Sequence, residues 1–409
     1  MEQCKIDASM LPEYIIFGLL VISNLGLGLY FAFSKRRGKT SLDEIFLANR
    51  QIRTAPLALS VLASTMSASG IVGSTAHYYA YGFHFIWSVG AKLLVLPIAM
   101  YVVVPLLYGL KMTSIFEYLR MRYGNKTGLG VCCLYMFLSQ SLGAAALYSA
   151  SVAVSTAFSV PIIWVTLTMG FVGTLYTALG GLRAVVWTDC VQALAMLLCP
   201  LTVISKVIYD AHQPRFRLRP FNELNLKDYI LRTNLSLTED ENVWACLIGL
   251  MASGLNREGL DQMMVQRYMA ARTPIEARRT ALFGTALTLI YMVLMSLMAL
   301  ALLYWYHDCD PLMTGHISKL DQILPYYVHK ELKIFPSFTA LFLAGVVSST
   351  LSTISSAINT QVAVCFVDGV MPFFNVKDVL AVKLTKCIAH EEDNKRRKVI
   401  LAGAAVLQS

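Results

Sequence analysis

Residues 345–359 read GVVSSTLSTISSAIN. Eight of the twelve residues 348–359 carry a hydroxyl or an amide: Ser348, Ser349, Thr350, Ser352, Thr353, Ser355, Ser356 and Asn359. On a helix, spacings of three and four put Ser349, Ser352, Thr353 and Ser356 on one face. Hydroxyls of this kind mediate helix contacts or bond back to their own backbone. Such roles explain one or two of them. A whole stripe points to a polar cavity or to a site for a hard cation such as sodium, which prefers oxygen ligands.

A second stretch, TMSASGIVGSTA at 65–76, mixes small and hydroxylated residues with two glycines. It reads either as close helix packing or as a broken helix whose unwound carbonyls bind a cation. Asp189 sits a short way into the apolar run RAVVWTDCVQALAM, where an acid is costly and is a functional candidate by default. Its bland alternative is a place at the headgroup boundary beside Arg183. Lys92, in WSVGAKLLVLP, poses the same problem, with snorkelling to an interface as the alternative. Finally, ASGLNREGLDQMMVQRY at 252–268 puts Arg257, Glu258 and Asp261 directly after an apolar run too short to span alone. Gly254 and Gly259 flank the first two charges and permit a break. A discontinuous helix with charges at its break is a substrate-site arrangement. Arg257 and Glu258, as neighbours, are expected to neutralise each other in part.

The elements that hold these residues are membrane spans. Of the 409 residues 56% are hydrophobic and only 14% are charged, against roughly 25% in soluble domains. Residues 15–34, 128–158 and 283–306 contain no charge at all. Nine spans are predicted, at about 15–34, 55–80, 85–110, 128–157, 160–180, 184–209, 243–268, 283–306 and 336–366, with the start of a tenth at Val399. No basic region or small-residue cleavage site precedes the first, which therefore reads as an uncleaved span. Four loops rich in Lys and Arg fall on one side of the alternation, and the intervening short loop 158–161 has no basic residue, so the N-terminus is expected outside and those four loops inside. The net charge of +9 is then a matter of topology, and nucleic acid is not an expected partner; membrane lipid is. In this orientation Asn234, in the sequon Asn-Leu-Ser, lies in an outer loop and is a glycosylation candidate. The nine cysteines show no metal-binding spacing. No HExxH, P-loop, nucleophile elbow or triad is present, so an enzyme is not expected.

Several runs together resemble the sodium:solute symporter family: TALGGLRAVVWTDCVQ (177–192), LANRQIRTAPLALSVLASTMSA (47–68), TSIFEYLRMRYG (113–124), QMMVQRYMAART (262–273), DCDPLMTGHISKLDQILP (308–325) and LSTISSAIN (351–359). They occur in family order, and the last two are nearest to the branch of sodium-coupled monocarboxylate, multivitamin and iodide transporters. The resemblance implies an all-α polytopic protein with the LeuT-type inverted-repeat fold. Residues 1–54 would hold the outer N-terminus, a leading helix and a basic inner loop. Residues 55–209 would form the first five-helix repeat, 210–242 an outer loop, 243–366 the first three helices of the second repeat, and 367–409 an inner loop and a truncated ninth core helix.

The resemblance also implies site residues. The carbonyls of Ala63, Met66 and Ser349 and the hydroxyls of Ser352 and Thr353 would hold sodium, with Asp189 in coupling or release. Thr65, Ser69, Gly70, Arg257, Asp261 and Gln262 would contact substrate. Asp261 departs from the family's Asn at that place, and an acid there disfavours a bare anion unless Arg257 offsets it. The function implied is sodium-coupled symport of a small organic anion, a monocarboxylate or vitamin-like solute, at the plasma membrane, with sodium as coupling ion and no further cofactor. The incomplete second repeat leaves an alternative, a truncated or non-transporting member acting as a sensor or regulatory subunit.

Overall fold

The computed structural model describes residues 11–33, 42–158, 160–213, 242–332 and 337–372, with residues 230, 233, 238 and 239 between them. Asn234 and the start of the tenth predicted span lie outside the described residues. The described chain is almost entirely helical. Its elements are α1 (Leu11–Phe33), α2 (Leu42–Leu47), α3 (Thr54–Thr65), α4 (Ala68–Tyr81), α5 (Ser88–Ile98), α6 (Val104–Gly109), α7 (Ile115–Tyr123), α8 (Asn125–Phe158) and α9 (Ile162–Ala211). There follow α10 (Leu250–Leu255), α11 (Gln262–Met269), α12 (Pro274–Trp305), α13 (Ile323–Glu331) and α14 (Phe338–Val364).

Among the described residues six helices are long and apolar enough to cross a membrane, and the pair α3 and α4, bent by 60°, makes a seventh if it is one span. The predicted spans 160–180 and 184–209 are the two halves of α9, separated by a kink at Gly181 (φ 61°, ψ −165°). A Cβ at Gly181 would lie 2.9 Å from the carbonyl oxygen of Ile45 on α2, so only glycine serves both the backbone angle and the approach. The predicted span 243–268 is not one apolar helix. It winds as π-turns over Ala245–Gly249 and Asn256–Leu260, then breaks at Asp261 (φ −69°, ψ 125°) before α11. The break therefore falls at the acid and not at Gly254 or Gly259. Helix α12 starts nine residues before the expected 283, because the Thr273 hydroxyl caps it by accepting from the Glu276 N–H and Pro274 occupies its first turn.

Helix α14 is the buried centre, with nearly every residue from Thr339 to Thr360 shielded. It packs along α9, α8 and α1 and touches α3, α4 and α11. Gly345 lets α14 approach α9, since a Cβ there would meet Cys199 at 2.8 Å and the Ala195 carbonyl at 3.0 Å. Tyr176 of α9 is fully buried and donates to the Leu351 carbonyl at 3.0 Å. By contrast α8 presents Leu134, Phe137, Leu138 and Tyr148 outward, as a lipid-facing helix does.

Candidate functional site

Two helix breaks meet beside α14. At the first, α3 ends at Thr65, Met66 turns extended (φ −103°, ψ 129°), and Ser67 caps α4 by accepting from the Gly70 N–H at 3.3 Å. The last carbonyls of α3 thus lack intrahelical donors and are available to other partners. The second break is capped in the same way, by Asp261 accepting from the Met263 N–H at 2.9 Å. Arg257 joins the two. Its guanidinium donates to the Ser64 carbonyl at 2.8 Å and pairs with Asp261.

On α14, Ser349 and Thr353 donate to their own helix, to the carbonyls of Val346 at 2.7 Å and Ser349 at 2.9 Å. Thr353 thus keeps hydroxyl lone pairs for a cation, while the Ser349 carbonyl, the atom expected to hold sodium, already accepts from it. Ser352 donates instead to Asp189 at 2.7 Å. Ala63 and Ser349 are fully buried and Met66 is half-buried at the break. The donor chemistry of the five expected sodium ligands is oxygen only, which suits a hard monovalent cation.

Asp189 is fully buried and is not beside Arg183. It accepts from Ser60 at 2.5 Å and pairs with Arg267 at 2.9 Å. Arg267, at the end of the predicted span 243–268, is itself fully buried. It donates to Ser60 at 2.7 Å, Ser356 at 2.6 Å and the Met263 carbonyl at 2.7 Å, and it also bonds Ser64. One charge-assisted network so ties α3, α9, α11 and α14 together. Nothing local in QMMVQRY marks this arginine; only the all-buried face of α11 does. Nearby, Asn359 donates to Gln266 at 3.1 Å.

A cavity of about 630 Å³ opens beside the first break, lined among others by Thr65, Ser69, Gly70, Lys92 and Arg257, with Tyr78, Phe85 and Tyr291 as apolar walls. The expected partnership of Arg257 with Glu258 does not form. Adjacent residues on a helix point apart, whereas Arg257 and Asp261 are one turn apart and meet. Glu258 pairs with Lys92 of α5 at 3.2 Å, which also explains how Lys92 is tolerated at this depth. Asp261 does not line this cavity. It faces a second, apolar pocket of about 460 Å³ between α6, α7 and α8, where Tyr135 donates to it at 3.3 Å. Gln262 lines neither. Its amide spans the Thr113 carbonyl at 2.9 Å and the Ile115 N–H at 3.0 Å, fastening the turn before α7.

Comparison with known proteins identifies the family. The sequence profile of the sodium:solute symporter family matches residues 45–370. The chain is 30% identical to the human sodium/iodide cotransporter over 363 residues, covering 88% of this chain and 56% of that protein. It is 30% identical to the sodium-dependent multivitamin transporter of Oryctolagus cuniculus, covering 93% and 59%, and 28% identical to human sodium-coupled monocarboxylate transporter 2, covering 91% and 60%. The chain thus spans about three fifths of the length of these relatives, which are transporters and not enzymes. Among solved structures, a substrate-bound, outward-open Na+-coupled sialic acid symporter superposes with a TM-score of 0.84 at 21% identity, over 92% of this chain and 79% of that one. A manganese transporter of Eremococcus coleocola follows at 0.53 and 14%. The fold is the LeuT type, the protein is a multi-pass membrane protein, and the chain belongs to the sodium:solute symporter family.

Proposed function

We propose that this chain forms the transport core of a plasma-membrane symporter, N-terminus outside, that couples sodium to the uptake of a small organic anion by alternating access. One observation carries the reading: the cavity beside the broken helix holds two basic side chains, Lys92 and Arg257. Sodium would sit between the break and α14, on the carbonyls of Ala63, Met66 and Ser349 and the hydroxyls of Ser352 and Thr353. Thr65, Ser69 and Gly70 would line the solute, and Arg257 would contact its carboxylate. Asp261 would orient Arg257 from behind, and Gln262 would hold the second break from the cytoplasmic side.

Charge supports coupling. Arg257 pairs with Asp261 and Lys92 with Glu258, so the cavity wall is neutral. An entering carboxylate makes it negative, and a sodium ion at the adjoining break restores neutrality. At a separation of about 8 Å and an effective dielectric of about 20, that attraction is worth about 2 kcal/mol, or roughly 30-fold in affinity. Linkage makes the gain reciprocal: solute tightens sodium by the same factor. Monocarboxylates, vitamin carboxylates and iodide are the solutes to try, after the relatives' names.

The test is uptake of labelled short monocarboxylates, biotin, pantothenate and iodide into cells displaying the chain, in sodium and in choline. Sodium-dependent uptake of one solute is expected. Equal uptake in both buffers, or none from a chain verified at the cell surface, would overturn the symporter reading.

A further inference from the structure

Inside the bundle Lys92, Arg257, Arg267 and Lys206 each meet a carboxylate. Two arginines at the start of α12 do not. From Thr280 to Trp305 that helix carries no charge. At 1.5 Å per residue this is roughly 39 Å, enough to cross the hydrocarbon, which puts Arg278 and Arg279, directly before it, at the polar boundary. Arg279 is exposed on the outer face, between the exposed Ile275 and Phe283 one turn to either side. Arg278 is half-buried in the seam where α12 packs on the turn Ala99–Val103 that joins α5 to α6. Its guanidinium lies over the ring of Tyr101, 5.8 Å from the centroid.

Neither side chain makes an ion pair or a hydrogen bond among the described residues, and the Arg278 Nε is buried without an acceptor. Glu276, the acid of the same turn, pairs with neither, and its Oε2 is likewise buried without a partner among the described residues. A half-buried guanidinium with no acceptor is costly at the edge of a bilayer, so its acceptor comes from outside the chain. Phosphate fits it best: the planar fork donates to two oxygens at once while one face stays on an aromatic ring. The surroundings fit the rest of a lipid. Toward the hydrocarbon the seam is apolar, with Leu94, Ile98 and Tyr101 exposed at helical spacing on one side and Leu282 on the other. Toward the water it is basic, with Lys111 and Arg272 exposed. The Tyr108 hydroxyl donates to the Ala271 carbonyl at 3.1 Å, which holds the end of α6 beside the turn before α12.

We propose that this seam binds one anionic phospholipid, its phosphate on Arg278 and Arg279 and an acyl chain along Leu94, Ile98 and Leu282. Charge selects the lipid. A zwitterionic headgroup brings its own cation toward Lys111 and Arg272, whereas an anionic one does not. The apolar part of the seam is continuous with the lipid-facing surface of α5 and α12, so the chain needs no separate path. In the orientation proposed above the seam lies in the cytoplasmic leaflet, where anionic lipids concentrate. The site itself does not depend on that orientation or on transport. Helix α12 also packs closely on α3, where a Cβ at Gly284 would meet Val61 at 2.7 Å, so a lipid held here braces the helix behind the first break.

The test is thermal unfolding of the delipidated full chain in nonionic micelles, with phosphatidylglycerol, phosphatidylcholine or soluble glycerol phosphate added. Phosphatidylglycerol should raise the midpoint by about 2 °C or more beyond phosphatidylcholine, and glycerol phosphate should not raise it. In the double variant Arg278→Gln with Arg279→Gln that gain should vanish. Tyr101→Leu, which removes the ring under the guanidinium, should reduce it, and decides the matter if the double variant fails to fold. Lys126→Gln loses a charge at the exposed start of α8, at the same end of the bundle, and should keep the full gain. Equal rises with the two lipids would overturn the proposal, as would a gain that survives in the folded double variant or is unchanged in Tyr101→Leu. An equal loss in Lys126→Gln would replace the site by diffuse attraction. A full rise with glycerol phosphate alone would replace the lipid by free phosphate.

Discussion

Arg267 and Asp189 allow the sharpest test of how the core of this protein is held. Both side chains are fully buried, with the guanidinium 2.9 Å from the carboxylate. Replacing Arg267 by Met leaves Asp189 with serine donors, Ser60 at 2.5 Å and Ser352 at 2.7 Å, and without its cation. Breaking a buried pair from one side costs about 3–5 kcal/mol, because the charge that remains is uncompensated. Asp189→Asn should cost a similar amount, since Arg267 keeps Ser60, Ser356 and the Met263 carbonyl but carries its charge unopposed. The double variant removes both charges and should cost less than the sum of the two by on the order of 2–4 kcal/mol. The assay is reversible denaturant unfolding of the four proteins in mild detergent micelles at neutral pH, compared through their midpoints at constant slope. Costs that add to within about 0.5 kcal/mol would refute the pair as an energetic unit and leave the contact as packing alone.

Three further outcomes are expected. Ser352→Ala with Thr353→Ala removes both proposed hydroxyl ligands; sodium affinity, read by calorimetric titration, should fall by roughly 10- to 100-fold, at about 1.5–3 kcal/mol for charge-assisted contacts, and unchanged affinity would displace the site from α14. Arg257→Met should weaken solute binding far more than sodium binding in paired titrations, and an equal loss of both would show that the arginine only clamps the two breaks together. Gly181→Ala meets both a positive φ and the Ile45 carbonyl, and should lower stability by about 2 kcal/mol or more in the same unfolding assay, whereas Gly143→Ala, with open space around it, should not.

Much of the architecture was legible in the chain. Hydropathy located the spans because lipid demands that every backbone polar group be satisfied internally, which a long apolar helix does by itself. The hydroxyl stripe of α14 was readable because a helix repeats its faces every three to four residues. Small residues at 65–76 read either as close packing or as a break, and the structure decides for the break, bending the helix there by 60°. The second break was less legible. Glycines drew attention to 254–259, but the backbone departs from helix at Asp261, where a side-chain cap compensates the lost hydrogen bonds. The division between 160–180 and 184–209 falls where hydropathy put it, at the Gly181 kink, whereas the start of α12 was missed because a capping threonine outweighs hydropathy there.

The charges divide the two sources of information most clearly. Composition and periodicity determined that Asp189, Lys92, Arg257 and Asp261 stand in an apolar setting and so need partners. They did not determine which partners. Lys92 finds Glu258 across 166 positions and Asp189 finds Arg267 across 78, while the adjacent Arg257 and Glu258 point apart. Helix geometry fixes only what lies within a turn or two. Partnership between distant charges is decided when helices pack, because that is when water leaves and each buried charge must meet its opposite.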